Sequence, residues 1–150
     1  MRALLQRVSR GSVVVDERVL GRIGRGLVAL IGIAHQDDER VAEAMAGRIV
    51  NLRIFEDEAG KFNLSAMDIG AEILAVSQFT LYADTRRGRR PGFTDAAPPD
   101  KAQPLFDYTV ECLRRSGLKV ETGAFGAHMV VEIINDGPVT IMLDSQDRSL

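Results

Sequence analysis

The chain has one cysteine, no tryptophan, two tyrosines and two histidines in 150 residues. A lone Cys112 cannot close an internal disulfide, which fits a reducing compartment, and at its helical position it reads as a small packing group and not a nucleophile. His35 and His128 lie far apart without cysteine neighbours, so the usual zinc spacings are missing and neither metal nor cofactor is expected. No run approaches the roughly 18 apolar residues of a membrane helix. Arg2, Arg7, Arg10, Asp16, Glu17 and Arg18 also break up the start, which excludes a secretory leader there. The expectation is a cytoplasmic protein with no membrane partner. A net charge of −2 gives no general attraction for polyanions, so any nucleic-acid contact must be local, and no DNA partner is expected.

Familiar catalytic motifs are missing as well. No phosphate-binding G-x-x-x-x-G-K-[ST] occurs, GRIGRG at 21–26 lacks the dinucleotide spacing and reads as a turn, and no serine sits in G-x-S-x-G. The acidic clusters Asp37–Glu39 and Glu56–Glu58 suit solvated loops or helix starts.

What is present suffices for one domain over 1–150: 45% hydrophobic residues with 27% charged can bury a core. Strands are expected at 3–8, 12–16 and 18–24, the last two joined as a hairpin. Residues 26–34 read as a strand buried on both faces. Val41, Met45, Ile49 and Leu52 recur at helical spacing after Asp37 or Asp38, either of which would cap the helix. Further extended segments fall at 53–57, 62–65, from 73, and at 118–122. Residues 84–100 read as an irregular loop. A second helix over about 101–115 would be capped by Asp100 and would start late or kink at Pro104. Two strands, 128–136 and 138–143, would be joined by a turn at Asp136-Gly137-Pro138, with a loose tail at about 145–150. The order indicates the α+β class: a mixed, partly barrel-like β-sheet with two main helices in a single domain.

One segment needs a separate account. In ILAVSQFTLYAD, residues 73–84, an apolar run gives way to Ser77, Gln78 and Thr80 with only Phe79 between them. A strand that ends there frees main-chain N–H groups near Phe79 and Thr80 from the ladder.

SQFTL at 77–81 and NDGPVT at 135–140, in that order and with Arg7 in the first strand, resemble the two signature segments of the D-aminoacyl-tRNA deacylases. The likeness runs from MRALLQRVSRGSVVVD through RIFED, GKFNLS and LYADTRRGRRPGF to near residue 144. It implies a homodimeric hydrolase that cleaves a D-amino acid, or mischarged glycine, from the 3′ end of tRNA. It further implies that Ser77, Gln78, Phe79 and Thr80 line the pocket, and that Gly137-Pro138 enter the partner's pocket with a cis bond. Such a main-chain wall would reject L side chains of every type and let glycine pass. Thr80 lacks an adjacent base, so hydrolysis assisted by the RNA 2′-hydroxyl is favoured, with a Thr80 nucleophile as the alternative. Arg7 either holds its head group in solvent at a sheet edge or pairs with the carbonyls of the Gly-Pro loop as support for the filter. Arg86, Arg87, Arg89 and Arg90 would contact tRNA phosphates without base readout. A non-catalytic RNA-binding module is the rival, opposed by the acidic balance and the scarcity of aromatics.

Overall fold

In the computed structural model, residues 1–147 are described. The chain opens with β1 (Arg2–Val15), a strand long enough to serve several partners. Asp16 and Glu17 take φ of 48° and 64°, the double left-handed turn that matches strand twist, and lead into β2 (Arg18–Ile23). Then follow β3 (Gly26–Gly32), α1 (Glu39–Asn51), the short pair β4 (Phe55–Glu56) and β5 (Phe62–Leu64), and the one-turn α2 (Ala66–Ile69). β6 (Glu72–Ser77), a 3₁₀ turn at Phe79–Tyr82, α3 (Pro99–Arg114), β7 (Val120–Thr122) and β8 (Val130–Asp144) complete the order.

The main sheet runs β2-β1-β3-β6-β7, with β8 antiparallel to β1 along its other side. β3, β6 and β7 are parallel, and the remaining pairings are antiparallel. A Cβ on Gly21 would lie 2.9 Å from the Thr122 carbonyl oxygen, so β2 closes onto β7 and the sheet forms a nearly closed barrel. Inside it Val8, Val13, Ile23, Val28, Leu74 and Val76 make a small core. Outside, α1 and α3 bury Met45, Ile49, Phe106 and Leu113 against Leu27, Ile31 and Ile73. Each such side chain contributes about 1.5–3 kcal/mol of burial. Asp38, not Asp37, caps α1, accepting from the Val41 N–H at 3.0 Å. Asp37 is buried and accepts from the Ala34 N–H and the Met1 ammonium.

Several boundaries differ from expectation. Segments 3–8 and 12–16 fuse because Ser9–Gly11 continue the strand, and Gly11 leaves room for Val28, whose Cγ2 would lie 3.0 Å from an added Cβ. β8 likewise replaces two expected strands. It runs through a cis Gly137-Pro138 bond, and its register jumps from Gln6↔Thr140 to Val8↔Asn135, so residues 136–139 leave the ladder opposite Arg7. α3 begins at Pro99 after Pro98, earlier than predicted, because proline lacks only an N–H that the first turn leaves unpaired anyway. Asp100 therefore lies inside the helix, and Pro104 sits in its body. The GRIGRG segment is a turn only at Gly24-Arg25, since Gly21–Ile23 belong to β2. The four-residue helix α2, closed by a Ser65–Asp68 capping box, has no counterpart among the elements expected from the sequence. The expected loose tail is tied at its start: Ser145 N donates to the Met1 carbonyl at 2.9 Å, and its hydroxyl accepts from the Met1 ammonium. Residues 148–150 of that expectation lie outside the described residues. Among the described residues no helix is long and apolar enough to cross a membrane.

Candidate active site

Ser77 pairs with Ile31 at the end of the β3–β6 ladder, and Gln78 N makes one more bond, to the Ile31 carbonyl at 2.8 Å. The chain then leaves the sheet as the 3₁₀ turn, closed by Leu81 N to Gln78 O and Ala83 N to Thr80 O. Gly32 permits this. A Cβ there would meet the Gln78 carbonyl at 2.9 Å and the Tyr82 ring at 3.2 Å, so only a glycine lets the turn settle on β3. As the first residues of a helical turn, Phe79 and Thr80 have N–H groups with no acceptor among the described residues.

Ser77, Gln78 and Phe79 line a cleft of about 350 Å³. Its other walls include Ile31, Ile33, Phe93, Ala96, Pro98, Ala102 and Phe125. Thr80 stands outside that lining. It is exposed, and its hydroxyl accepts a hydrogen bond from the Gln78 amide, which fixes Gln78 at the rim. The Phe79 ring, 57% exposed, meets Phe93 edge-on at 4.9 Å. No titratable side chain lines the cleft, and among the described residues no three His, Cys, Asp or Glu groups gather for a metal. Sequence reasoning missed Phe93, the Ala96–Pro98 wall and Phe125. The signal for the first two was a cluster of small and aromatic residues inside a segment that otherwise reads as basic loop, while Phe125 lies apart, in the glycine-rich GAFGA between β7 and β8.

That loop is shaped at its base. Asp84 and Gly92 exchange two backbone bonds, and Ala97 N reaches the Ile33 carbonyl at 2.9 Å. Arg86 grips the Asp84 carboxylate through Nε and Nη2, both at 2.8 Å, and this holds that carboxyl well below the usual range and raises the arginine. Its charge is thus engaged inside the loop. Arg87, Arg89 and Arg90 are exposed and have no carboxylate or carbonyl partner among the described residues.

Arg7 is only 6% exposed, so the solvent alternative does not hold. Its Nε donates to the Asp136 carbonyl at 3.0 Å and its Nη1 to the Ile54 carbonyl at 2.9 Å. Carboxylates of Glu56 and Asp136 lie at 3.7 Å, and the Phe62 ring centroid at 5.5 Å. The bulge is braced further by Asn135, whose Oδ1 accepts from Val139 N and whose Nδ2 donates to the Thr140 hydroxyl.

The two groups of predicted residues do not meet within one chain. Ser77 is level with Ile31 and hence with Ala3 on β1, whereas the bulge faces Arg7, which pairs with Leu27. Four residues of strand separate these levels by about 13 Å. Gly137 and Pro138 do not line the cleft.

A profile of the D-Tyr-tRNA(Tyr) deacylase family matches residues 4–144. The D-aminoacyl-tRNA deacylase of Thermomicrobium roseum is 58% identical over 147 residues, 98% of this chain and 96% of its own. That of Thermotoga petrophila is 58% identical over 145 residues, 97% of each chain. Among solved structures, the c-Myc DNA Unwinding Element Binding Protein superposes with a TM-score of 0.90 at 45% identity, covering 96% of this chain and 98% of that one. A probable eukaryotic D-amino acid tRNA deacylase shares the fold, with a TM-score of 0.85 at 20% identity over 95% and 97% of the two chains.

Proposed function

The chain belongs to the D-Tyr-tRNA(Tyr) deacylase family, and from that premise we propose that it hydrolyses the ester between a D-amino acid and the 3′ end of tRNA in a cleft completed by a second copy of itself. The carrying observation is a cleft lined by no ionisable side chain among the described residues, with free main-chain donors at Phe79 in its wall and at Thr80 next to it. Water attacks the ester carbonyl, the two N–H groups receive the oxyanion, and the C–O bond breaks to leave the carboxylic acid and a protonated tRNA 3′-oxygen. With no side-chain base at hand, the vicinal 2′-hydroxyl of the RNA assists the water, and Gln78 and Thr80 position the ester. The apolar walls suit the terminal nucleobase beside Phe79 and Phe93.

Stereoselection is assigned to the bulge at Gly137-Pro138, supplied by the partner. Main chain cannot rotate away, and Arg7 with Asn135 holds this stretch from both flanks. A wall against the L side chain needs no pocket for each D side chain, so glycine also passes. Dimerisation is supported by apolar cross-strand rows left uncovered on the sheet: Val19–Val14–Val130 and Leu30–Leu4–Met142, in which Val130 is 62% and Met142 46% exposed. Arg87, Arg89 and Arg90 take the acceptor-stem phosphates. Translation then places the work in the cytoplasm.

Incubation with D-tyrosyl-tRNA, L-tyrosyl-tRNA and D-tyrosyl-tRNA lacking the terminal 2′-hydroxyl tests this reading. Turnover of the first alone is expected. Equal turnover of the first and third would establish a Thr80 nucleophile instead. A purely binding role, the kind that the name of the 45%-identical structure describes, predicts no turnover at all.

A further inference from the structure

We infer that Arg2 is a positioning residue for the turn that carries the oxyanion donors, an assignment that rests on the reading of Phe79–Tyr82 as the site. Its Nη1 donates to the Leu81 carbonyl at 2.9 Å, and its guanidinium lies 4.6 Å from the centroid of the Tyr82 ring. Both contacts fall inside the four-residue turn. On the other side Nε donates to Asp144 Oδ2 at 2.9 Å, and Arg2 and Asp144 are cross-strand partners on β1 and β8. The planar fork is thus held in three directions at once, which a compact ammonium cannot reproduce.

The turn's other ties are the Gln78 N bond to β3 at its start, the contact of Gly32 from below, the Phe79–Phe93 ring contact, and the Asp84–Gly92 pair two residues beyond its end. Arg2 is the side chain that bonds the Leu81 carbonyl and covers the buried Tyr82 ring. Without Arg2 that half of the turn loosens, and the Phe79 and Thr80 N–H groups lose their aim at the ester carbonyl. Sub-ångström aim matters for catalysis far more than for ground-state binding. Arg2 also borders a cavity of about 430 Å³ lined by His35, Tyr82, Asp95 and Gln146, and this gives a small solute access to the guanidinium's place.

The test is the kinetics of Arg2→Ala, Arg2→Lys and a destabilised control, Ile49→Val, in the α1 core. For Arg2→Ala a fall in kcat of about fivefold is expected, with KM for D-tyrosyl-tRNA within about twofold, because the substitution weakens transition-state stabilisation and leaves ground-state binding in place. Arg2→Lys stays low, and millimolar guanidinium restores Arg2→Ala while leaving Ile49→Val unchanged. Unaltered kcat in Arg2→Ala, or a deficit that guanidinium does not restore, overturns the inference. Gln78→Ala separates the two levels: if it hydrolyses normally, the turn is not the site and the underlying reading fails. If Gln78→Ala is inactive while Arg2→Ala is normal, only the role of Arg2 fails.

Discussion

Gly137 shows how tightly one residue is specified. It takes φ of +132°, and a methyl group there would press to 2.7 Å from Val139 Cγ2 and 3.1 Å from Arg7 Nη2. Gly137→Ala is therefore expected to cost about 1–2 kcal/mol in urea unfolding. If the bulge is the wall proposed above, it shifts with that methyl and the ratio of D to L hydrolysis should fall by at least about tenfold, roughly 1.4 kcal/mol of discrimination. A variant that keeps full stereoselectivity would remove the bulge from the specificity device. Sequence alone could not settle Arg7 at this scale. Strand alternation reports which face a side chain takes, but its partners, Asp136 and Ile54, come from segments 129 and 47 residues away.

At the level of elements, the polar end of β6 was legible, because a buried strand that turns to Ser-Gln-x-Thr has to be leaving its core. The continuity of β1 and of β8 was not. A bulge is set by the register of the neighbouring strand, and glycine and proline within it carry the same local signal as a turn. The loop after β6 is irregular as far as Pro98, as its composition indicates, but α3 takes the last two residues expected in it, and its role as a wall depends on Ala34 and Ile33 lying alongside, which no spacing records. Two predictions belong here. Replacing Arg87, Arg89 and Arg90 together by alanine should raise KM for tRNA and flatten the log–log salt dependence by about 2–3, near 0.7–0.9 for each phosphate no longer neutralised. Cleavage of D-tyrosyl-adenosine should stay nearly unchanged, and equal losses on both substrates would contradict the phosphate assignment. The second concerns barrel closure by Glu72, whose carboxylate accepts from the Gly24 N–H and from Lys119. The Gly24 bond chiefly lowers its pKa. Its contribution is therefore complete above the ordinary glutamate range and disappears as pH falls through the lowered value. At one-third exposure this amounts to no more than about 1 kcal/mol. Glu72→Gln should erase that part of the acid slope in denaturant melts recorded against pH.

For the whole molecule, the fold class followed from the order of elements, while dimerisation rested on resemblance because apolar residues on a sheet face look alike whether a helix or a second chain covers them. The uncovered rows through Val14 and Leu4 are where the proposed second chain would pack. Met142→Asp places a charge in the Leu30–Leu4–Met142 row and should yield a monomer in gel filtration. Stereoselective hydrolysis should fall by about tenfold or more with it, because the cost of burying an unpaired charge opposes association. A monomer that still discriminates D from L would show the cleft to be complete in one chain.

The bare lining of the cleft also governs how the enzyme answers acidity. On the proposed mechanism, with no His, Asp, Glu, Lys or Tyr among the described residues that line this chain's cleft, the rate should show no bell set by an acid and a base of the protein. Between about pH 6 and 8 the profile should follow the substrate's own α-amino group, near pH 7.7–8.0 when unperturbed, and the supply of hydroxide. On the same reading, exchanging the terminal ribose for deoxyribose should silence hydrolysis more completely than any single side-chain replacement.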